Sequence, residues 1–421
     1  GEIGDLVCDD GAGSVTVYSE NTVGDITREN GTGWFFIYAT AGTVGNITNA
    51  GAINIGSTSI VNGAQIGSVT GTGSGAISVY NGEAKIDAIT MNGTGAVNVT
   101  SNAGTIDEIN AAGGVTVGAV SKAADETGYA YGNGTSNSQI GSIKADGSIT
   151  VYRNCGTIGS IESTAGSVTI GQNSATHKNY QVNSGTIGNI KADVSVGIYN
   201  NTETGKIATE ESEAVTAGGS INIGTVVNNA MAYENQGMIG DVISKNETIH
   251  GIAVYSSAGQ IGNITKENGT GAVSVYVTDD SEVGDITNSN SINIGSAAIL
   301  NQGKVGNLTI TKLGNVTINN AAGKIGNVKA AGTGSIVVNT NNGTIGTLES
   351  EGTVTIGASN KSADNTNPQY SFGNATDGQI GDITAQKNVT VYRNAGIMGD
   401  ISSDQGNIII GQNGEAYSAY Q

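Results

Sequence analysis

A unit of about 20 residues repeats along the chain, and this repeat limits the possible folds more than any other feature of the sequence. Each unit reads roughly Gly-x-Ile-Gly-x-Ile, then a few polar residues, and then Gly-Ser-Val-x-Val-Tyr or Gly-Ser-Ile-x-Ile-Gly. Residues 156–161, for example, read Gly-Thr-Ile-Gly-Ser-Ile, and residues 167–171 read Ser-Val-Thr-Ile-Gly. About eighteen units can be counted, starting near residues 1, 22, 42, 63, 83, 104, 138, 156, 185, 205, 237, 259, 281, 303, 323, 343, 378 and 396.

Each unit holds two short apolar segments separated by Gly, Asn, Asp and Ser, a pattern typical of two β-strands and their turns. In the second segment the side chains alternate, so that Val15 and Val17 point one way and Thr16 points the other. One unit cannot enclose a core, but units stacked about 4.8 Å apart bury a continuous ladder of Ile and Val. The sequence therefore predicts an all-β parallel β-helix (β-solenoid) of about 18 coils of about 20 residues, about 85 Å long.

A longer duplication lies over the short repeat. Residues 28–33 read Arg-Glu-Asn-Gly-Thr-Gly and match Lys-Glu-Asn-Gly-Thr-Gly at 266–271, and Val-Tyr-Arg-Asn occurs at both 151–154 and 391–394. A block of about 240 residues therefore occurs twice. We expect a single β-solenoid domain over 1–421, with a first block at 1–236 of about ten coils and an incomplete second block at 237–421 of about eight.

Composition and charge exclude several other classes of protein. The chain has 67 Gly but one Pro and no three-residue glycine period, which excludes collagen, and its recurring Val and Ile argue against disorder. A net charge of −19 with scattered basic residues argues against nucleic acid and anionic membrane surfaces as partners. No run of 18 apolar residues occurs, so we expect no transmembrane segment.

The two cysteines and the sequons bear on cellular location. Cys8 and Cys155 are too few for a disulfide framework and too far apart in sequence to suggest an internal bridge, so we expect free thiols or links between copies. The chain starts at Gly1 without a leader, which suggests a processed mature protein or a fragment. Candidate N-glycosylation sites, which favour an extracellular setting, are Asn30, Asn46, Asn92, Asn263, Asn268, Asn307, Asn342 and Asn388.

Aromatic residues are rare and concentrate where the chain departs from the repeat. Coils that end in Ile-Gly or Val-Gly precede extra residues rich in Tyr, and such loops suit contacts with another molecule or a glycan. Trp34 and Phe36 place large rings where the outward strand positions are otherwise small. The alternative is that these rings lie on the solenoid and cover its edge. Candidate contacts between molecules are Cys8, Cys155, Trp34, Phe36, Tyr129, Tyr131, Tyr180, Tyr233, Tyr370, Phe372, Tyr417 and Tyr420.

The two ends of the chain carry no recognisable cap, although a solenoid normally needs one to protect its open strand edges. Residues 420–421 joined to residues 1–5 would resemble the internal passage 236–241. We therefore expect head-to-tail stacking of copies. The alternative is a fragment whose true caps lie elsewhere.

The sequence suggests no active site. The pairs Asp9-Asp10 and Asp279-Asp280 lie in turns where neighbouring side chains diverge, and His177 and His250 have no obvious carboxylate or Cys partner. Calcium and phosphate motifs are absent, so we predict no catalytic residue, no cofactor and no metal. Residues 207–215 are the one stretch with helical character, which we interpret as a surface insertion.

Through its Gly-x-Ile-Gly-x-Ile and Gly-Ser-Val-x-Val-Tyr repeats, the chain resembles secreted β-solenoids of bacterial surface adhesins, autotransporter passengers and archaeal sheath or surface-layer proteins. That resemblance implies an exported, stable, non-enzymatic protein at the cell surface. The leading hypothesis is a structural subunit of an extracellular filament, sheath or surface layer, a homo-polymer joined end to end and through its flat face and Tyr-bearing loops. The alternatives are an adhesin stalk or passenger domain that binds host or glycan, and, third, a polysaccharide-active enzyme.

Overall fold

The computed structural model describes residues 1–119, 131–172, 181–245, 247, 249–278, 280–358 and 373–411. The chain divides into two compact units, Gly1–Val215 and Thr216–Gln421. The described residues of each unit form strands and turns without a helix. Each unit winds as a parallel β-solenoid, and the two together hold about 18 turns, about 21 residues apart. The predicted fold class is therefore confirmed.

The two apolar segments of the repeat form two different sheets. First segments pair with first segments of neighbouring coils, and we call this sheet 1; second segments pair likewise and form sheet 2. In the strand Phe35–Ala39, Phe35, Ile37 and Ala39 are fully buried, whereas Phe36 and Tyr38 are half-buried on the outside. The alternation arises because successive side chains of a strand point to opposite faces. The core of each unit is thus the space between the two sheets.

In the first unit, the strands of sheet 1 are Leu6–Val7, Ile26–Arg28, Thr43–Val44, Ile47–Asn49, Gln65–Gly71, Lys85–Met91, Thr105–Ala111, Gln139–Ala145, Thr157–Ser163, Thr186–Ala192 and Lys206–Ile207. Those of sheet 2 are Val15–Ser19, Phe35–Ala39, Ile53–Ile55, Ile77–Asn81, Val97–Asn102, Val115–Val117, Gly132–Asn133, Ile149–Val151, Val168–Ile170 and Val196–Ile198. A further strand of sheet 1, Ala214–Ala217, contains the boundary between the units.

In the second unit, the strands of sheet 1 are Met238–Ile239, Asp241–Ser244, Gln260–Ile261, Ile264–Lys266, Glu282–Val283, Ile286–Asn288, Lys304–Val305, Leu308–Ile310, Lys324–Ile325, Val328–Ala330, Thr344–Ile345, Leu348–Ser350, Gln379–Ile380, Ile383–Ala385, Ile397–Met398 and Ile401–Ser403. Those of sheet 2 are Ile221–Ile223, Ile252–Ser256, Val273–Val277, Ile292–Ile294, Val316–Asn320, Ile336–Asn341, Val354–Ile356, Gly373–Asn374, Val389–Val391 and Ile408–Ile410.

The apolar core is a set of ladders in which like residues meet from coil to coil. Ile86 pairs with Ile66 on one side and Ile106 on the other, and Ile106 pairs in turn with Ile140. None of these four side chains exposes more than 1% of its surface. Burying each such side chain contributes roughly 1.5–3 kcal/mol, so the ladder stabilises the stacked coils.

A second ladder, made of asparagine, runs through the interior beside sheet 2. In the first unit the Nδ2 group of each asparagine donates to Oδ1 of the next over 2.8 or 2.9 Å. Its members are Asn62, Asn81, Asn102, Asn133, Asn154, Asn183 and Asn201, none more than 1% exposed. The second unit repeats the ladder with bonds of 2.7 or 2.8 Å through Asn301, Asn320, Asn341, Asn374 and Asn394.

The recurrent Ile-Gly-Asp or Ile-Gly-Asn turns form an outer series of hydrogen bonds. The backbone N–H of Asp25 donates to Oδ1 of Asp5, and that of Asn46 donates to Oδ1 of Asp25, over 2.9 and 2.7 Å. Asp241, Asn263 and Asp285 are linked in the same way in the second unit. Asp and Asn alternate at this position because the bond uses one side-chain oxygen, which both residues have.

Two departures from the solenoid lie in described residues. Gly224, with φ of 67°, ends a coil and leads into the antiparallel hairpin Thr225–Val227 and Ala230–Ala232. The helical character predicted for 207–215 is wrong: after Lys206–Ile207 the chain makes a turn in which the N–H of Glu213 donates to the carbonyl of Glu210 over 2.9 Å. Strand pairing on either side of this turn outweighs the helix propensity of its glutamates.

Candidate functional site

The outward side chains at the middle of the sheet 2 strands form one line along each unit, which we call the outer row. In the first unit these residues are Thr16, Phe36, Asn54, Ser78, Asn98, Thr116, Thr150, Thr169 and Gly197. In the second unit they are Asn222, Ala253, Ser274, Asn293, Thr317, Val337, Thr355, Thr390 and Ile409. No residue of the outer row is charged, although the chain carries a net charge of −19.

The outer face of sheet 1 is different because it carries ion pairs between coils. Lys85 lies 2.7 Å from Asp107, and Lys191 lies 2.8 Å from Glu162. Hydrogen bonding to Asp107 raises the pKa of Lys85, and hydrogen bonding to Lys191 lowers that of Glu162. These groups are largely solvated, so each pair adds little stability. These ion pairs thus lie on the outer face of sheet 1, whereas the outer row of sheet 2 has no charged residue.

A continuous line of aromatic rings interrupts the outer row in the second coil. The ring centroids of Trp34 and Phe36 are 5.8 Å apart, and those of Phe36 and Tyr38 are 6.4 Å apart. Tyr18 of the preceding coil stacks on Tyr38 at 5.0 Å. Trp34 is 51% and Tyr18 is 68% exposed. We call these four residues the aromatic row.

The second unit builds the same coil without the two largest rings. Ala272 and Ser274 stand in place of Trp34 and Phe36, while Tyr276 corresponds to Tyr38. Tyr276 stacks on Tyr255 at 4.7 Å with an angle of 4° between the rings. Burial and the neighbouring Tyr276 raise the pKa of Tyr255. The tyrosine pair is therefore part of the scaffold, whereas Trp34 and Phe36 are additions to it.

A buried cation lies behind the aromatic row. Arg28 is 4% exposed, and its guanidinium carbon lies 5.1 Å from the ring centre of Phe35. Its Nε and Nη1 have no hydrogen-bond partner among the described residues. Lys266 holds the equivalent position of the second unit and is fully buried, and this burial lowers its pKa. Residues 26–28 read Ile-Thr-Arg and residues 264–266 read Ile-Thr-Lys. Because side chains alternate along a strand, Arg28 and Lys266 lie on the same inward face as the isoleucine two residues before each of them, and this alternation is the sequence signal for the buried cations.

The predicted contact residues have different surroundings. Cys8 and Cys155 are free and half-buried. Tyr131 is 2% exposed and packs into the protein, and Tyr233 is half-buried with φ of 54° after the hairpin. The other predicted loop aromatics lie outside the described residues; they are Tyr129, Tyr180, Tyr370, Phe372, Tyr417 and Tyr420.

The predicted glycosylation sites lie mostly on the surface. Asn268 is half-buried, and the remaining seven are exposed. The side-chain oxygen of Asn46 accepts from the N–H of Ser68 over 3.0 Å, and that of Asn388 accepts from the N–H of Asn407 over 2.8 Å. The amide nitrogens of these two asparagines are not used in those bonds. Glycosylation at all eight positions stays a prediction.

No cluster of three or more His, Cys, Asp or Glu side chains that could hold a metal occurs in the described part of the chain. Asp9, Asp10 and His250 are exposed, and Asp279 and His177 lie outside the described residues. Within the described ranges, no helix is long and apolar enough to cross a bilayer. Comparisons of the chain with protein-family models, with curated proteins and with solved structures gave no match.

Proposed function

We propose that the chain is a structural subunit of an extracellular filament, sheath or surface layer, in which copies pack side by side through the outer face of sheet 2. The uncharged outer row carries this proposal. A chain with a net charge of −19 repels its own copies over most of its surface, but this face adds no charge to that repulsion. Its mostly small side chains allow a second sheet to approach at about 10 Å.

End-to-end joining of copies is the second part of the proposal. Within each unit, most coils pair with the next coil through the same backbone register. Val168, for example, pairs with Ile149 and with Val196 in equivalent ways. A coil of another copy can therefore offer the same partners to an open strand edge. The adhesin alternative, through Tyr-bearing loops, stays a prediction because most of those tyrosines lie outside the described residues.

Charged substitutions on the two faces test the lateral contact. Thr150 and Thr169 are neighbours in the outer row, and Thr48 and Thr70 are half-buried neighbours on the outer face of sheet 1. In sedimentation at increasing protein concentration, the Thr150→Lys/Thr169→Lys variant should form smaller assemblies than the parent chain. The matched Thr48→Lys/Thr70→Lys variant should assemble as the parent does. Equal assembly of all three proteins would contradict the proposal.

A further inference from the structure

We infer that the aromatic row, formed by Trp34, Phe36, Tyr38 and Tyr18, is a binding site for an uncharged polysaccharide built of pyranose sugars. This inference goes beyond the proposed structural role, which rests on the small uncharged residues of the outer row other than Phe36 and does not require a ligand. It rests on three observations: the exposure of Trp34 and Tyr18, the absence of the two largest rings from the corresponding coil of the second unit, which we call the duplicate coil, and the uncharged polar border of the row.

Trp34 and Tyr18 are exposed where a packing role would bury them, while Phe36 and Tyr38 are half-buried. Half of Trp34 and two thirds of Tyr18 remain open to solvent, at 51% and 68% of their surfaces. The four centroids lie 5.0 to 6.4 Å from their neighbours, which makes one apolar strip several rings long. A pyranose ring presents C–H groups on its faces, and these carry a slight positive charge that is attracted to the negative face of an aromatic ring. A strip of rings therefore offers stacking to successive sugars of a chain.

The duplicate coil shows that the scaffold does not need the two largest rings. Residues 28–33 and 266–271 are nearly identical, and both coils continue into strands of sheet 2 with the same pattern of burial. Only the first unit places Trp and Phe on the outer side, where the second has Ala272 and Ser274. Large exposed apolar side chains that the fold does not require indicate a contact with another molecule.

The border of the row selects for an uncharged, hydroxyl-rich ligand. Phe36 pairs with Thr16 on one side and with Asn54 on the other. Thr16 and Asn54 are polar and uncharged, so the strip is bordered by groups that suit sugar hydroxyls without adding a charge. Since no residue paired with the row carries a charge, an ionic ligand finds no partner there. The net charge of −19 further disfavours a polyanion.

The single tryptophan of the chain makes the test direct, because all tryptophan fluorescence comes from the row. The full chain is titrated with cellohexaose, hydroxyethylcellulose, dextran and mannan as uncharged probes, and with alginate as an anionic one. A saturable shift of Trp34 emission to shorter wavelength with at least one uncharged probe, but not with alginate, is the expected result. No shift with any uncharged probe, or an equal shift with alginate, would overturn the inference.

A second measurement uses the duplicate coil as a control. The Trp34→Ala/Phe36→Ser variant copies the residues that the second unit carries at these positions, so the scaffold accommodates them. Its affinity for the active probe, measured by calorimetry, should fall by about tenfold or more, while Tyr276→Ala should bind as the parent does. Unchanged binding by the double variant would refute the site. If Trp34 emission shifts with protein concentration alone, the row binds a second copy and the polysaccharide inference is wrong.

Discussion

Asn102 donates a hydrogen bond from Nδ2 to Oδ1 of Asn133 over 2.9 Å, and both side chains are completely buried. The two residues are 31 positions apart in sequence but occupy equivalent places in successive coils. Asn133 passes the bond on to Asn154 over 2.8 Å, so each amide is both donor and acceptor. The ladder holds the coils in register at a point where a shift of one residue would leave several buried amides without partners.

Replacing an asparagine inside this ladder should cost more stability than the same replacement on the outer row. Asn133→Ala leaves the buried Oδ1 of Asn154 without its donor and removes one of the acceptors of Asn102 Nδ2, a loss of about 2 kcal/mol or more. The urea midpoint should therefore fall clearly. Asn98→Ala, at a half-buried position of the outer row, is the matched control and should change the midpoint little. Equal midpoints for the two variants would contradict a stabilising role for the ladder.

Two glycines in neighbouring coils should respond differently to a methyl group. A Cβ added to Gly93 would lie 1.8 Å from the carbonyl oxygen of Gly73, which the stacked backbone cannot move away. At Gly71 the nearest atom is the terminal methyl of Met91, 2.6 Å away, and that flexible side chain can rotate. Gly93→Ala should therefore lower the melting temperature strongly and Gly71→Ala only slightly. The opposite order would show that the coils do not stack as described.

Stability should depend on pH through Lys266. Burial lowers the pKa of this amine from its ordinary value of 10.5, so the folded state binds the proton less tightly than the unfolded state does. The free-energy cost of burying the charged amine is fully present below the pKa that Lys266 has in the folded state. This cost is relieved as the pH rises from that value toward 10.5. Compared with Lys266→Met, the parent chain should thus gain stability with rising pH, as measured by urea unfolding. A difference in the free energy of unfolding between the parent and Lys266→Met that stays constant across that pH range would refute this prediction. Lys245→Met, which removes an exposed lysine, serves as the control.

The free cysteines provide a test of contacts between copies. Cys8 and Cys155 are half-buried and unpaired within the chain, so oxidation can join them only after a second copy approaches or the local structure opens. Assemblies grown without reductant should show cross-linked species on non-reducing gels. Cys8→Ser and Cys155→Ser should each remove the species that depend on that residue. If neither substitution changes the gel pattern, the cysteines take no part in the contacts.

The fold could be predicted from the sequence because period-two alternation and regular glycine spacing are local signals. Trp34 and Phe36 could be placed on the outside for the same reason. The asparagine ladder was missed because insertions vary the spacing of its members, from 18 residues between Asn183 and Asn201 to 33 between Asn341 and Asn374. A search at fixed period does not align such residues. The turn at Glu210–Glu213 was misjudged because helix propensity is a local preference that pairing with neighbouring coils outweighs.

Electron microscopy of the purified full chain over a range of concentrations tests the central claim most directly. The proposed structural role predicts filaments or sheets with a regular repeat, which become longer or wider as the concentration rises. The Thr150→Lys/Thr169→Lys variant should lose lateral association in the same images. Separate particles of one size at every concentration, with and without reductant, would contradict the claim that this chain is the subunit of a polymer.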